Sequence, residues 1–179
     1  MLFKATFLFS LAVSALALPA SKKTKVAATA ADVLTVQNYA DFQVSDGVAG
    51  DALAEVKAKF PIDETNLAAV SANDLAIIKA ARVTAEAAET DAGGFNDAIA
   101  AAGKSTTAGK ALQVGKIKNK VLKLQLEVLA LQIDQAQSGK DNSAKIAAEQ
   151  KKLDNNIKTD AASKGATSQS VDFQGDDSA

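Results

Sequence analysis

Residues Leu112 to Gln137 read LQVGKIKNKVLKLQLEVLALQIDQAQ, and the apolar positions recur at helical spacing. Ile117, Val121, Leu124, Val128 and Leu131 step by four, three, four and three. Leu122, Leu126, Leu129, Ile133 and Ala136 form a second series, turned by roughly 140° from the first at about 100° per residue. Two apolar stripes require two packing partners, so the helix belongs inside a bundle. Asn119, Lys120, Lys123, Glu127 and Asp134 are assigned to the arc that meets water. Lys118, Gln125 and Gln132, seven apart, lie between the stripes and are read as packing by their stems while their polar ends reach water or each other. At about 1.5 Å per residue this helix spans about 39 Å. Gly115 weakens it by roughly 1 kcal/mol relative to alanine.

On either side of this stretch the chain reads as further helices. Asp32 is placed to cap a first one, with Val33, Val36, Tyr39 and Ala40 on one face, running to about Val44. Ser45-Asp46-Gly47 offers a break, or a soft spot if the helix continues, and Ala49, Leu53, Val56 and Phe60 carry the face onward until Pro61 stops the helix. Ile62 to Val70 is a connector with room for one helical turn. Ser71-Ala72-Asn73-Asp74 resembles a capping box with Asp in place of Glu, and the helix it opens runs from Ala72 to about Asp91. Gly93-Gly94 ends it, and Phe95 to Ala102 makes a short helix closed by Gly103. Ser105 or Thr106 starts the run into the long helix. Ser138-Gly139-Lys140 turns the chain, and Asn142 or Ser143 caps a last helix whose narrow stripe is Ile146, Gln150, Leu153 and Ile157. These elements predict an all-α fold, an up-and-down bundle of about four main helices with one or two short extra ones.

The chain ends carry a different message. Lys4 followed by the apolar run Phe7 to Ala17 and the small-x-small sequence Ala15-Leu16-Ala17 marks residues 1–20 as a signal peptide, cut after Ala17 or Ala20. The run is too short to span a bilayer, which takes about 20 residues. Residues 21–31 are expected to be a flexible N-terminal segment, residues 32–162 the helical bundle, and residues 163–179 a loose polar tail. Phe173, a lone aromatic in that tail, either docks into a groove or stands exposed. A secreted, extracellular protein without a transmembrane segment is the expected product.

Composition removes several kinds of chemistry. The chain has 20 basic and 21 acidic side chains, a net charge of −1; loss of Lys4 with residues 1–20 leaves 19 and 21, or −2. Near-neutral, interspersed charge argues against nucleic acid as a partner. Absence of histidine excludes Ser-His-Asp triads and His-based metal sites, and absence of cysteine excludes thiol catalysis and disulfide staples. Glu86 and Glu89, one turn apart with Asp91 nearby, are read as a solvated acidic face. A di-metal site of the ferritin type needs inward glutamates and Glu-x-x-His pairs, which this chain lacks. Gly103-Lys104-Ser105 resembles the end of a phosphate-binding loop, but the upstream glycine is replaced by Ala98 and the context is helical. A carboxylate-only glycosidase is disfavoured because the acids are scattered and aromatic residues are few. No catalytic residue, cofactor or metal is expected. What remains is a basic cluster, Lys116, Lys118, Lys120 and Lys123, read either as a solvated shoulder or as a weak interaction patch for an anionic polymer or a lipid headgroup. The partner expected for the protein as a whole is another protein, a wall polymer or a lipid.

The stretches VQNYADFQVSDGVAGDALAEVKAKFP (Val36 to Pro61), LQVGKIKNKVLKLQLEVLALQIDQAQ and SQSVDFQG resemble a family of cysteine-free small secreted proteins of filamentous, ascomycete fungi. The resemblance covers nearly all of the chain after the signal segment. It implies a fungal, extracellular protein at the cell wall or a host interface, and it carries over no functional residues. The function expected is non-enzymatic: an effector-like protein acting by surface or partner contact. The alternative is a carrier or surface-active protein that lays apolar helix faces on lipid or another hydrophobic surface.

Overall fold

The computed structural model describes residues 31–178. The expected signal segment, residues 1–20, and residues 21–30 of the expected flexible segment lie outside the described residues. The helices are α1 (Tyr39–Phe42), α2 (Ala52–Lys59), α3 (Ala72–Thr90), α4 (Phe95–Ala102), α5 (Thr107–Ser138) and α6 (Ser143–Ala162). A 3-10 turn spans Leu67–Ala69, and two short strands, β1 (Gly47–Val48) and β2 (Thr167–Ser168), pair antiparallel. The fold is all-α, a bundle built around α5, as the two-stripe pattern predicts. Against α5 pack α2, α3, α4, α6, the 3-10 turn and β2.

At 32 residues α5 takes in the whole run from Thr107, and of the two starting residues expected, Ser105 and Thr106, it is Thr106 that caps it. The Thr106 hydroxyl accepts from the Gly109 N–H (3.0 Å), satisfying one of the first-turn donors. Gly139 ends the helix in the left-handed conformation (φ 71°), where a side chain would be strained. Val121, Leu122, Leu126 and Ile133 are fully buried, and the core continues through Ile77, Ile78, Ala81, Ala85 and Ala88 of α3 and Leu153 of α6. Helix α3 runs antiparallel to α5. The cross-links Lys79–Asp134, Arg82–Glu127, Lys123–Glu86 and Lys120–Glu89 step up one helix as they step down the other. The outer helix α6 buries Leu153 fully on its predicted stripe, with Ile146, Gln150 and Ile157 half-buried.

Three expectations are corrected. The predicted helix from Asp32 to Val44 is only the turn Tyr39–Phe42, and no helix forms over residues 32–38. Carboxylates from elsewhere take the backbone donors of this segment: Asp74 accepts from the Val33 and Leu34 N–H groups, and Asp177 from the Gln37 N–H. Val33 and Val36 are exposed as a result, while Leu34, Tyr39 and Phe42 enter the core.

The tail is not loose. β2 pairs with β1, the Gln169 N–H donates to the Ala111 carbonyl of α5, and the Asp177 N–H donates to the Gln37 carbonyl. The segment straps the N-terminal half of α5 to residues 37–48. Phe173 docks edge-to-face on Tyr39 with ring centroids 5.8 Å apart. Gly115 makes the crossing feasible, because a Cβ there would sit 2.0 Å from the Gln169 carbonyl oxygen.

Asn119 does not face water but is fully buried, with its amide shared between Tyr39 and the Ala85 carbonyl. The capping expectation at α3 holds in half: the Ser71 hydroxyl accepts from the Asp74 N–H (3.0 Å). The Asp74 side chain does not return the bond, since it is engaged with residues 33 and 34.

Candidate functional site

The four lysines named from the sequence do not form one patch. A helical repeat of about 3.6 residues separates positions 118 and 116 by two steps, so they leave the helix on different sides. Lys118 is fully buried on the α2 side, and its three ammonium protons are satisfied by the Asp46 carbonyl (2.9 Å), the Val48 carbonyl (3.0 Å) and the Glu55 carboxylate (2.9 Å). It is a structural clamp on the loop before α2, not a surface group, which corrects the reading that it packs by its stem and reaches water.

Lys116, Lys120 and Lys123 face α3 and converge on Glu89, at 3.6, 3.2 and 3.5 Å. Glu89 is nearly buried and is therefore not part of a solvated acidic face. Burial pushes its carboxyl pKa upward, but the hydrogen bond from Lys120 and the charges of Lys120, Lys123 and Lys116 outweigh that cost. The net result lies below the ordinary carboxylate value. Lys123 also reaches Glu86 (3.9 Å), which Arg82 holds as well. Charge here is largely compensated between the two helices.

Moving from this cluster toward the N-terminus of α5, the balance changes. A groove of about 570 Å³ lies between α4 and α5. Its wall is Asn96, Ile99 and Ala100 of α4, Lys104 of the connecting turn, and Gln113, Lys116, Ile117 and Lys120 of α5. Among the described residues no carboxylate lines it. The groove sits outside a small second core formed by Phe95, Ile99 and Leu112, which holds the two helices together. Three side-chain bonds fix its rim. Lys116 Nζ donates to Asn96 Oδ1 (2.6 Å) across the helices, and Gln113 Nε2 donates to the Lys104 carbonyl (2.8 Å) and the Gly109 carbonyl (3.0 Å). Lys104 is exposed and forms no ion pair among the described residues, so its charge is uncompensated.

Three ammonium groups over a carbon floor can hold an anion and cover an apolar group. The wall contains no hydroxyl or carboxylate to serve as nucleophile or general base. Among the described residues no group of three or more His, Cys, Asp or Glu side chains is arranged to hold a metal ion, and no helix is long and apolar enough to cross a membrane.

Sequence reasoning named Lys116 and Lys120 and missed Asn96, Lys104 and Gln113 as their neighbours. A signal was present. Gln113, Lys116, Ile117 and Lys120 fall at i, i+3, i+4 and i+7, and Asn96, Ile99 and Ala100 at i, i+3 and i+4, the spacing of residues that share a helix face. Which two faces meet is a tertiary matter.

No curated protein matches the chain, and no solved structure does. A family model, the domain of unknown function DUF8454, matches residues 34–172. That span opens at Leu34, the first buried residue of the described chain, and takes in all six helices and β2. The chain therefore belongs to the DUF8454 family.

Proposed function

We propose that this is a secreted, non-enzymatic helical protein that acts by surface or partner contact at the fungal wall or a host interface. The observation that supports the reading is the α4–α5 groove, whose wall offers cations, amides and carbon and, among the described residues, no carboxylate or hydroxyl. The leading sequence of residues 1–20 and the resemblance of Val36 to Pro61 to small secreted fungal proteins supply the location. An anionic partner is supported by Lys104, which forms no ion pair among the described residues, while Lys116 and Lys120 beside it share Glu89.

The test is where a tagged chain goes in culture. Retention on the hyphal wall or on host surfaces is expected, with release on raising the salt, because exposed lysine contacts are screened within about 8–10 Å at physiological ionic strength. Protein found free in the filtrate, with no host surface that captures it, would end this reading. So would robust turnover of a hydrolytic or redox substrate by the purified chain.

A further inference from the structure

We propose that the α4–α5 groove binds a single-chain anionic amphiphile, one carboxylate or phosphate head on a saturated chain. The proposal rests on the contact reading above and names what is contacted. The groove, at about 570 Å³, falls inside the roughly 300–1,000 Å³ range of small-molecule sites. Its floor is carbon: Ile99, Ala100 and Ile117. A bare inorganic anion would leave that floor in water, whereas an alkyl chain covers it and gains the hydrophobic term.

The cations divide the groove into two ends. Lys116 and Lys120 already share Glu89, and Lys116 is bonded to Asn96 as well. Among the described residues Lys104 has no such partner, so the head group sits at Lys104. From there the chain runs over Ala100 and Ile117 toward the aliphatic stems of Lys116 and Lys120, which extend the floor while their ammonium groups stay at the rim. Gln113 holds the Lys104 carbonyl and so fixes the turn that presents the cation.

A long polyanion fits less well. It needs a file of uncompensated cations, and the lysine series of α5 does not provide one. Lys118 is buried against Glu55, and Lys123 is paired with Glu86 and Glu89.

The experiment is calorimetric titration of the folded chain with dodecanoate and with dodecyl phosphate, each below its micelle concentration. Dodecyl maltoside, inorganic phosphate and dextran sulfate serve as comparisons. Binding of one molecule per chain is expected for at least one of the two anionic amphiphiles, and the one that binds names the head group. Lys104→Gln is expected to weaken it about tenfold, the equivalent of one charge-assisted hydrogen bond. Ala100→Glu, which puts a carboxylate on the floor, is expected to abolish it. Both positions are exposed, and circular dichroism confirms that each variant folds. Dodecyl maltoside and inorganic phosphate are expected to bind at least about tenfold more weakly than the anionic amphiphile.

Equal affinity for dodecyl maltoside, or binding indifferent to both variants, would overturn the proposal as mere adsorption. Dextran sulfate bound through Lys104, with neither amphiphile bound, would overturn it while leaving the contact reading intact. The same holds if no probe binds yet the chain is still retained on the wall.

Discussion

Tyr39 is the only tyrosine of a chain without tryptophan, and it is fully buried. Its hydroxyl donates to Asn119 Oδ1 (2.9 Å), and Asn119 Nδ2 donates to the Ala85 carbonyl (2.7 Å), so one polar chain ties α1, α5 and α3 together. Burial disfavours the phenolate and pushes the pKa from 10.0 up to about 12. Phenolate absorbance therefore reports a single group. It should stay silent through the ordinary tyrosine range and appear only near about 12, or abruptly on unfolding. A raised folded-state value means the stabilisation is fully present below 10.0 and is lost as pH rises toward about 12. Glu89 behaves oppositely. Its folded value is lowered, so its contribution is present above the ordinary glutamate pKa and fades as pH falls through the folded one. Glu89→Gln leaves three lysines without their common partner and is expected to cost roughly 1–3 kcal/mol at neutral pH. In denaturant titrations the gap to the native chain should close on acidification. Both side chains are plain letters in the sequence. Neither the partner of Tyr39, 80 positions away, nor the lysines around Glu89 could be paired from spacing alone.

At the scale of elements, two positions, Asp160 and Gly115, have roles that the local sequence does not suggest. Asp51 sits at the N-cap of α2 but makes no capping bond. Asp160 of α6 does so instead, accepting from the Gly50 N–H (3.0 Å) and the Ala52 N–H (2.9 Å). Asp160→Ala should destabilise the protein by about 1–2 kcal/mol, the usual cost of a lost cap. Asp51→Ala should change the denaturation midpoint far less. Gly115 looks like a defect in a long helix, and by propensity alone Gly115→Ala would stabilise by about 1 kcal/mol. A Cβ there would instead meet the Gln169 carbonyl oxygen. The expected outcome is a loss of about 1–3 kcal/mol, as for an overpacked site, together with faster proteolysis after Ser168. The sequence made the helices legible, including the Phe95–Ala102 boundaries and the Thr106 cap, because apolar period and capping residues are local. It could not show that a cap comes from another helix.

On the scale of the whole molecule, a chain without disulfides must hold its non-helical segments by other means. Carboxylates do this here. Asp74, Asp160 and Asp177 are buried and accept backbone N–H groups from residues 33 and 34, 50 and 52, and 37 respectively, while Asp46 accepts from the Ser170 N–H. Lys118 adds a buried cation on the carbonyls of Asp46 and Val48. The C-terminal strap is therefore part of the fold. Ending the chain after Lys164 removes β2, the Phe173 ring from Tyr39 and the Asp177 bond to Gln37. The truncated chain should melt several degrees lower, at about 2–4 °C per kcal/mol for a chain of this size. An unchanged melting temperature would mean that the strap contributes nothing.

What the sequence by itself determined is whatever repeats locally: the all-α class, the two buried faces of α5, the breaks at Pro61, Gly93-Gly94 and Gly139, and the absence of His and Cys chemistry. Those follow from a period of about 3.6 and from side-chain inventory, both of which are read within a few residues. The tertiary structure alone decided that residues 32–38 are not helical, that residues 163–178 strap α5, that Lys118 is a core clamp, and that Lys104 joins Lys116 and Lys120 around one groove. Each of these depends on a polar group finding a partner 40 or more positions away or, for the groove, on which two helix faces meet. A buried donor or acceptor must be paired, but sequence spacing does not say with what.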